Sequence, residues 1–228
     1  YLPKAPLIKT APGIFYQTKK IEIAKTENNA QIYYTLDGSD PSEISQIYRK
    51  PIDIGKSATL KAKYIWKSGY CSKVSQARFI KPEPKPAALL KKAATGLEYG
   101  VYLGSWTNCP DFSMIKSVAS GTVTHFDIAP IQPREDAFGI QFQGYIKVSQ
   151  EGLYTFYTAS NDGSKLYIGD QLVVDNDGSH AVIEREGLIV LKAGYHPIHL
   201  LYFESAGSQD LQVSYKGLGI EKQPVPES

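Results

Sequence analysis

The chain has 228 residues, 42% hydrophobic and 21% charged, with a net charge of +2, enough for one large domain or two small ones. No long basic run is present, which argues against nucleic acid as a partner, and no apolar stretch approaches the length of a membrane span. Tyrosine is the unusual component, with 16 Tyr against 8 Phe and 2 Trp; it suits sheets with one wet face as well as sugar-binding surfaces.

In chain order, the opening Tyr1-Leu2-Pro3-Lys4-Ala5-Pro6 carries no signal-peptide pattern. Ile21 and Ile23 alternate with polar residues over Lys20–Ala24, and Ile32 to Leu36 reads as a Tyr-rich strand. Leu60, Ala62 and Tyr64 alternate again, and Val74 and Phe79 fall in a last run. Turn signals at Asp37-Gly38-Ser39-Asp40-Pro41 and Ser68-Gly69 separate them. Several short strands spaced by turns predict a small immunoglobulin-like sandwich over residues 1–81. Pro82, Pro84 and Pro86 at alternate positions, with Lys81, Lys85, Lys91 and Lys92, predict a semi-rigid, solvated linker over 82–94.

Beyond it, Phe138, Ile140 and Phe142 alternate, followed by Tyr154, Phe156 and Thr158, then Leu166 and Ile168, Leu172 and Val174, and Ile189 and Leu191. The run His196, Ile198, Leu200, Tyr202 holds period two, and Leu211, Val213 and Tyr215 close the set. No window carries a 3.6-residue stripe longer than about two turns. The fold class is all-β, with a larger β-sandwich or barrel over 95–217 and a C-terminal tail over 218–228.

Ile32-Tyr33-Tyr34-Thr35-Leu36-Asp37-Gly38-Ser39-Asp40-Pro41, with Tyr48, Pro51-Ile52 and Leu60-Lys61-Ala62, resembles the C-terminal domain of chitobiases and β-hexosaminidases. Gly104-Ser105-Trp106, Pro110-Asp111-Phe112, Gly144-Tyr145-Ile146, Gly152-Leu153-Tyr154-Thr155-Phe156, Ser160-Asn161-Asp162-Gly163-Ser164 and Ala193-Gly194-Tyr195-His196 resemble the lectin-like domain named after anthrax protective antigen. The resemblance implies a non-catalytic, carbohydrate-binding accessory region of a larger bacterial glycoside hydrolase, a β-hexosaminidase by its first module. A structural spacer shaping the parent's active site and a surface adhesin module stay open. It also implies a periplasmic, cell-surface or secreted location, a glycan ligand, the catalytic domain of the same chain as neighbour, and a monomer.

In calcium-dependent adhesins of the second family, adjacent aspartates in the loop matching Asn161-Asp162 hold Ca²⁺. Asn161 keeps an oxygen but loses a charge. Asp175-Asn176-Asp177-Gly178 is a second oxygen-rich loop; Val173 at the first position rules out an EF-hand register. The expected metal set is therefore Asn161, Asp162, Asp175 and Asp177 with Ca²⁺, against a reading of both loops as structural turns. Trp106, Tyr167, His180 and Tyr195 are the expected ligand-binding residues, with Tyr102, Trp66 and His196 as further candidates that equally suit packing. Cys71 and Cys109 are expected unpaired, since they fall in different modules. No catalytic motif is present, and no pair of carboxylates is nominated for the separation of about 5–10 Å that glycoside hydrolysis needs.

Overall fold

The computed structural model describes residues 2–90 and 95–226; Lys91 and Lys92 lie outside the described residues. The chain forms two compact units that divide between Glu83 and Pro84. Strands dominate both, and the helical element among the described residues is a 3₁₀ turn at Phe112–Met114. Among the described residues no helix is long and apolar enough to cross a membrane.

The first unit holds β1 (Leu7–Ile8), β2 (Gly13–Ile14), β3 (Lys19–Ile21), β4 (Ile23–Ala24), β5 (Ala30–Thr35), β6 (Gln46–Ile47), β7 (Ile52–Ile54), β8 (Ala58–Trp66) and β9 (Ser75–Ile80). A five-stranded sheet in the order β2-β9-β8-β5-β6 faces the two-stranded pairs β1-β4 and β3-β7. Alternation along β8 buries Ala58, Leu60, Ala62 and Tyr64, which meet Ile32 and Phe79 in one core. The expected single run over Lys20–Ala24 is two strands. β3 pairs with β7 and β4 with β1, and between them Glu22 N–H donates to the Thr10 hydroxyl at 2.8 Å. Val74 is exposed and precedes β9.

The second unit holds β10 (Leu97–Leu103), β11 (Ala119–Val123), β12 (Phe138–Val148), β13 (Gly152–Ser160), β14 (Ser164–Ile168), β15 (Gln171–Asn176), β16 (Ile183–Leu191), β17 (Gly194–Glu204), β18 (Leu211–Gly217) and β19 (Ile220–Pro224). A six-stranded sheet, β11-β10-β12-β17-β14-β15, packs on a four-stranded sheet, β16-β13-β18-β19. Their inner faces share one core that includes Val101, Phe138, Ile140, Phe142, Tyr154, Phe156, Leu200 and Tyr202.

Two expected boundaries shift. Residues 218–228 are not a tail throughout: Gly219, at φ 68°, turns the chain into β19, which pairs with β18, and Val225 is buried in the core. The expected linker over 82–94 is in part bound to the second unit. Lys85 lies between two prolines that lack N–H groups, yet its own N–H donates to Val190 O at 2.8 Å and its carbonyl accepts from Lys192 N–H at 3.0 Å. Ala88 N–H adds a bond to Tyr195 O at 2.7 Å.

Candidate functional site

Four segments of the second unit meet at one end of its sandwich: 105–110, 161–164, 175–180 and 204–210. The turn between β13 and β14 sets the geometry. Asp162 adopts φ 52°, a left-handed conformation that Asp tolerates through local hydrogen bonding. It is 4% exposed. Oδ1 accepts from His180 N–H at 3.1 Å, and Oδ2 accepts from Ser205 N–H at 2.7 Å and Ala206 N–H at 3.4 Å. Asp162 N–H donates to His180 O at 2.9 Å. One carboxylate thereby ties three loops together. Beneath it, Thr158, Ser160 and Ser164 are fully buried and joined hydroxyl to hydroxyl at 2.9 and 3.0 Å, and Asn176 Nδ2 donates to Ser160 Oγ at 3.1 Å.

The expected carboxylates Asp162, Asp175 and Asp177 do not form one cluster. Among the described residues no group of three or more His, Cys, Asp or Glu is placed to hold a metal ion. The physical reason is that the oxygens already have donors. Asp162 is filled by backbone N–H groups, whose positive ends oppose a cation. Asp177 Oδ2 lies 2.6 Å from Lys165 Nζ, while its Oδ1 accepts from Cys109 N–H at 2.7 Å and Gly178 N–H at 2.9 Å. Burial pushes the Asp177 carboxyl up, but these hydrogen bonds and the ammonium hold it below its ordinary value. Asp175 is exposed and accepts from Asp177 N–H at 3.4 Å. Asn161 Nδ2 donates to Ser208 Oγ at 2.9 Å. Asn161, Asp162 and Asp177 thereby brace loops.

Trp106 lines an open hollow of about 580 Å³ with Thr107, Asn108, Cys109, Pro110 and Ser205. Ser205 connects this hollow to Asp162, because its hydroxyl donates to Trp106 O at 2.6 Å while its N–H donates to the carboxylate. The indole packs edge-on to Phe112, centroids 5.7 Å apart, and Phe112 stacks on Tyr102 at 4.4 Å. The ring is held by this aromatic cluster while Trp106 stays half-buried. Cys109 and Cys71 are both free, and burial, together with Asp177, pushes the Cys109 thiol up, away from the reactive thiolate.

Glu204, at the end of β17, was not among the expected residues. It is 0% exposed, and Oε2 accepts from the Tyr202 hydroxyl at 2.9 Å while Oε1 is buried without a partner. Burial, with Asp162 and Asp136 nearby, pushes its carboxyl up to about 7, against the lowering effect of Tyr202. A sequence signal existed: His196, Ile198, Leu200 and Tyr202 point inward at period two, and Glu204 is the next position in that column. Buried as it is, the pair Glu204–Asp162 is closed to a glycosidic bond.

The remaining expected ligand residues do not join this site as ligand groups. Both ring nitrogens of His180 face backbone carbonyls of its own loop, Ala181 O at 2.9 Å and Asn176 O at 3.1 Å. Tyr167 lies on the outer face of β14, stacked on His199 with centroids 5.8 Å apart. Tyr195 starts β17 at the other end of the strand from Glu204, with Lys147 Nζ 5.4 Å from its ring centroid. His196 is buried, and its Nε2 lies 2.8 Å from Lys192 O. Trp66 packs in the first unit between Tyr64 and Tyr70.

Comparison with known proteins agrees with this architecture. A family model described as PA14 domain matches residues 93–228, and one described as chitobiase/beta-hexosaminidase C-terminal domain matches residues 10–76. Both are accessory domain types without catalytic groups of their own. The chain is 25% identical over 195 residues to a beta-hexosaminidase of Porphyromonas gingivalis, covering 78% of this chain and 23% of that protein. It is 25% identical over 130 residues to the anti-sigma-I factor RsgI3 of Acetivibrio thermocellus, covering 55% of this chain and 20% of that protein. It thus spans less than a quarter of the curated relatives' length. Among solved structures, an anti-sigma factor domain-containing protein superposes with TM-score 0.50 at 19% identity, covering 92% of this chain and 81% of the other. The PA14 domain of the MpAFP antifreeze protein does so with TM-score 0.50 at 18% identity, covering 62% and 95%.

Proposed function

Since this chain belongs to the PA14 domain family, we propose that it is the carbohydrate-binding accessory region of a larger bacterial β-hexosaminidase, with the Trp106 hollow as its sugar site. The observation that carries this reading is the hollow itself: an indole held by Phe112, beside the Asn108 amide and the Thr107 hydroxyl, over loops braced by Asp162. An indole face covers the C–H face of a sugar ring, and the amide and hydroxyl serve its oxygens. Binding in this form needs no ion, because the loop carboxylates are already occupied. The similarity to a beta-hexosaminidase along 78% of the chain supports the choice of parent. Such a region works outside the cytoplasm as a monomer, holding the catalytic domain of its own chain near a glycan and raising the effective substrate concentration.

Calorimetric titration of a panel of β-linked N-acetylhexosamine and galactose oligosaccharides into the chain tests this. Trp106→Ala is expected to weaken binding about tenfold, the loss of one aromatic contact, with the circular dichroism spectrum unchanged. Equal affinity in the wild type and the variant, or no binding by the wild type, refutes the Trp106 site.

A further inference from the structure

The outer face of the six-stranded sheet carries polar side chains that the Trp106 hollow does not use. Register sets Thr122, Glu98, Gln143, His199 and Tyr167 side by side on five consecutive strands, β11, β10, β12, β17 and β14. Their chain neighbours Leu97, Phe142, Ile198, Leu166 and Ile168 lie in the core, so the row projects from the opposite face. Glu98 and Gln143 are exposed, and neither side chain has a hydrogen-bond or ion-pair partner among the described residues. His199 Nε2 is buried without a partner.

This face is grooved. Two hollows, of about 530 and about 170 Å³, share Glu98 and Gln143 in their linings. The larger reaches Tyr145 and His199, and the smaller reaches Tyr102, Ser120 and Gln141. Together they make a trough along β10 and β12, with a tyrosine at each end and carboxylate, amide and imidazole groups between. Gly96, Gly100 and Gly144 are among its lining residues. From Gly96 to Tyr102, at about 3.3 Å per residue, the trough is about 20 Å long, longer than one sugar ring.

The chemistry selects the occupant. Adjacent carboxylate and amide groups pair with the neighbouring hydroxyls of a sugar, and tyrosine rings accept its C–H faces. Among the described residues no free cation belongs to the row. Lys165 is held by Asp177, Lys147 lies over Tyr195, and burial keeps His199 below its ordinary value and so neutral near pH 7. Glu98 is left as the row's charge and repels an anionic chain. We propose that this trough is a second polysaccharide site, taking a neutral, unbranched chain along β10 and β12, separate from the Trp106 hollow.

The test is an NMR titration of the whole chain with chitohexaose, cellohexaose and xylohexaose, with oligogalacturonate as the anionic probe. At least one neutral hexaose is expected to shift the amide signals of Glu98, Gln143 and His199, and oligogalacturonate to leave them in place. Glu98→Ala combined with Gln143→Ala, both on exposed positions, is expected to weaken that binding about tenfold. Shifts confined to Trp106 and Asn108 overturn the trough while leaving the hollow standing; shifts confined to the row do the reverse. No shift with any neutral hexaose, or preferential binding of oligogalacturonate, overturns the trough and leaves the face to a protein neighbour.

Discussion

Glu204 makes stability depend on pH in a direction that can be worked out. In the unfolded chain its carboxyl ionises near the ordinary 4.5, whereas in the folded protein burial and the neighbouring Asp162 and Asp136 hold the proton to about 7. Between those values the folded state binds a proton that the unfolded state has released, so stability falls as pH rises through the window and levels off above it. A rise of that size corresponds to about 3 kcal/mol, fully present below the window and lost above it. Glu204→Gln cannot ionise, and its amide keeps an oxygen for the Tyr202 hydroxyl while offering N–H groups to Asp162. Relative to the wild type, the variant should therefore gain up to about 3 kcal/mol on passing from acid to mildly alkaline pH. Urea unfolding in a Trp66→Phe background, followed by Trp106 fluorescence, reads the second unit alone. Parallel pH profiles for the Glu204→Gln variant and its parent would refute a raised Glu204 carboxyl in the folded state.

Gly187→Ala should destabilise the second unit by several kcal/mol and lower its melting temperature sharply, because a Cβ there would collide with the backbone carbonyl of Val173, and backbone has nowhere to move between β15 and β16. Asp162→Ala should cost about 2–4 kcal/mol in urea unfolding, since the N–H groups of His180, Ser205 and Ala206 lose their acceptor. Adding calcium or a chelator to the wild-type chain should leave its melting temperature where magnesium at equal ionic strength leaves it; a selective rise with calcium refutes the bracing role of the loop carboxylates.

Much of the fold could be read from period two alone. The columns of β8, β12 and β17 alternate over enough residues that only one face can be inward, and the core follows them. What periodicity does not carry is a change of partner. Ile21 and Ile23 keep the rhythm across Glu22, although the strand crosses from β7 to β1 there. Nor does it reveal polar edge strands: Glu221, Lys222 and Gln223 read as tail because β19 is exposed along most of its length. The proline run misleads for a related reason, since Lys85 keeps both of its backbone groups between two residues that have lost a donor.

The site was legible as composition and not as chemistry. Asn161, Asp162, Asp175 and Asp177 form the oxygen-rich loops that calcium needs, and also the loops that backbone N–H groups need at the end of a sandwich. Sequence counts acceptors; it does not count the donors that other strands bring to them. Here His180, Ser205, Ala206 and Cys109 supply N–H groups and Lys165 supplies an ammonium, all from outside the loop they complete. Charge in the loops is balanced by the protein itself, down to the proton held on Glu204. In the proposed function the sugar contacts fall instead to groups that make no claim on an ion: an indole, amides and tyrosine rings. Aromatic candidates chosen from one family pattern separate in space, Trp106 to the loop end, where it lines a hollow, and Tyr167 to the sheet face, where it stacks on His199.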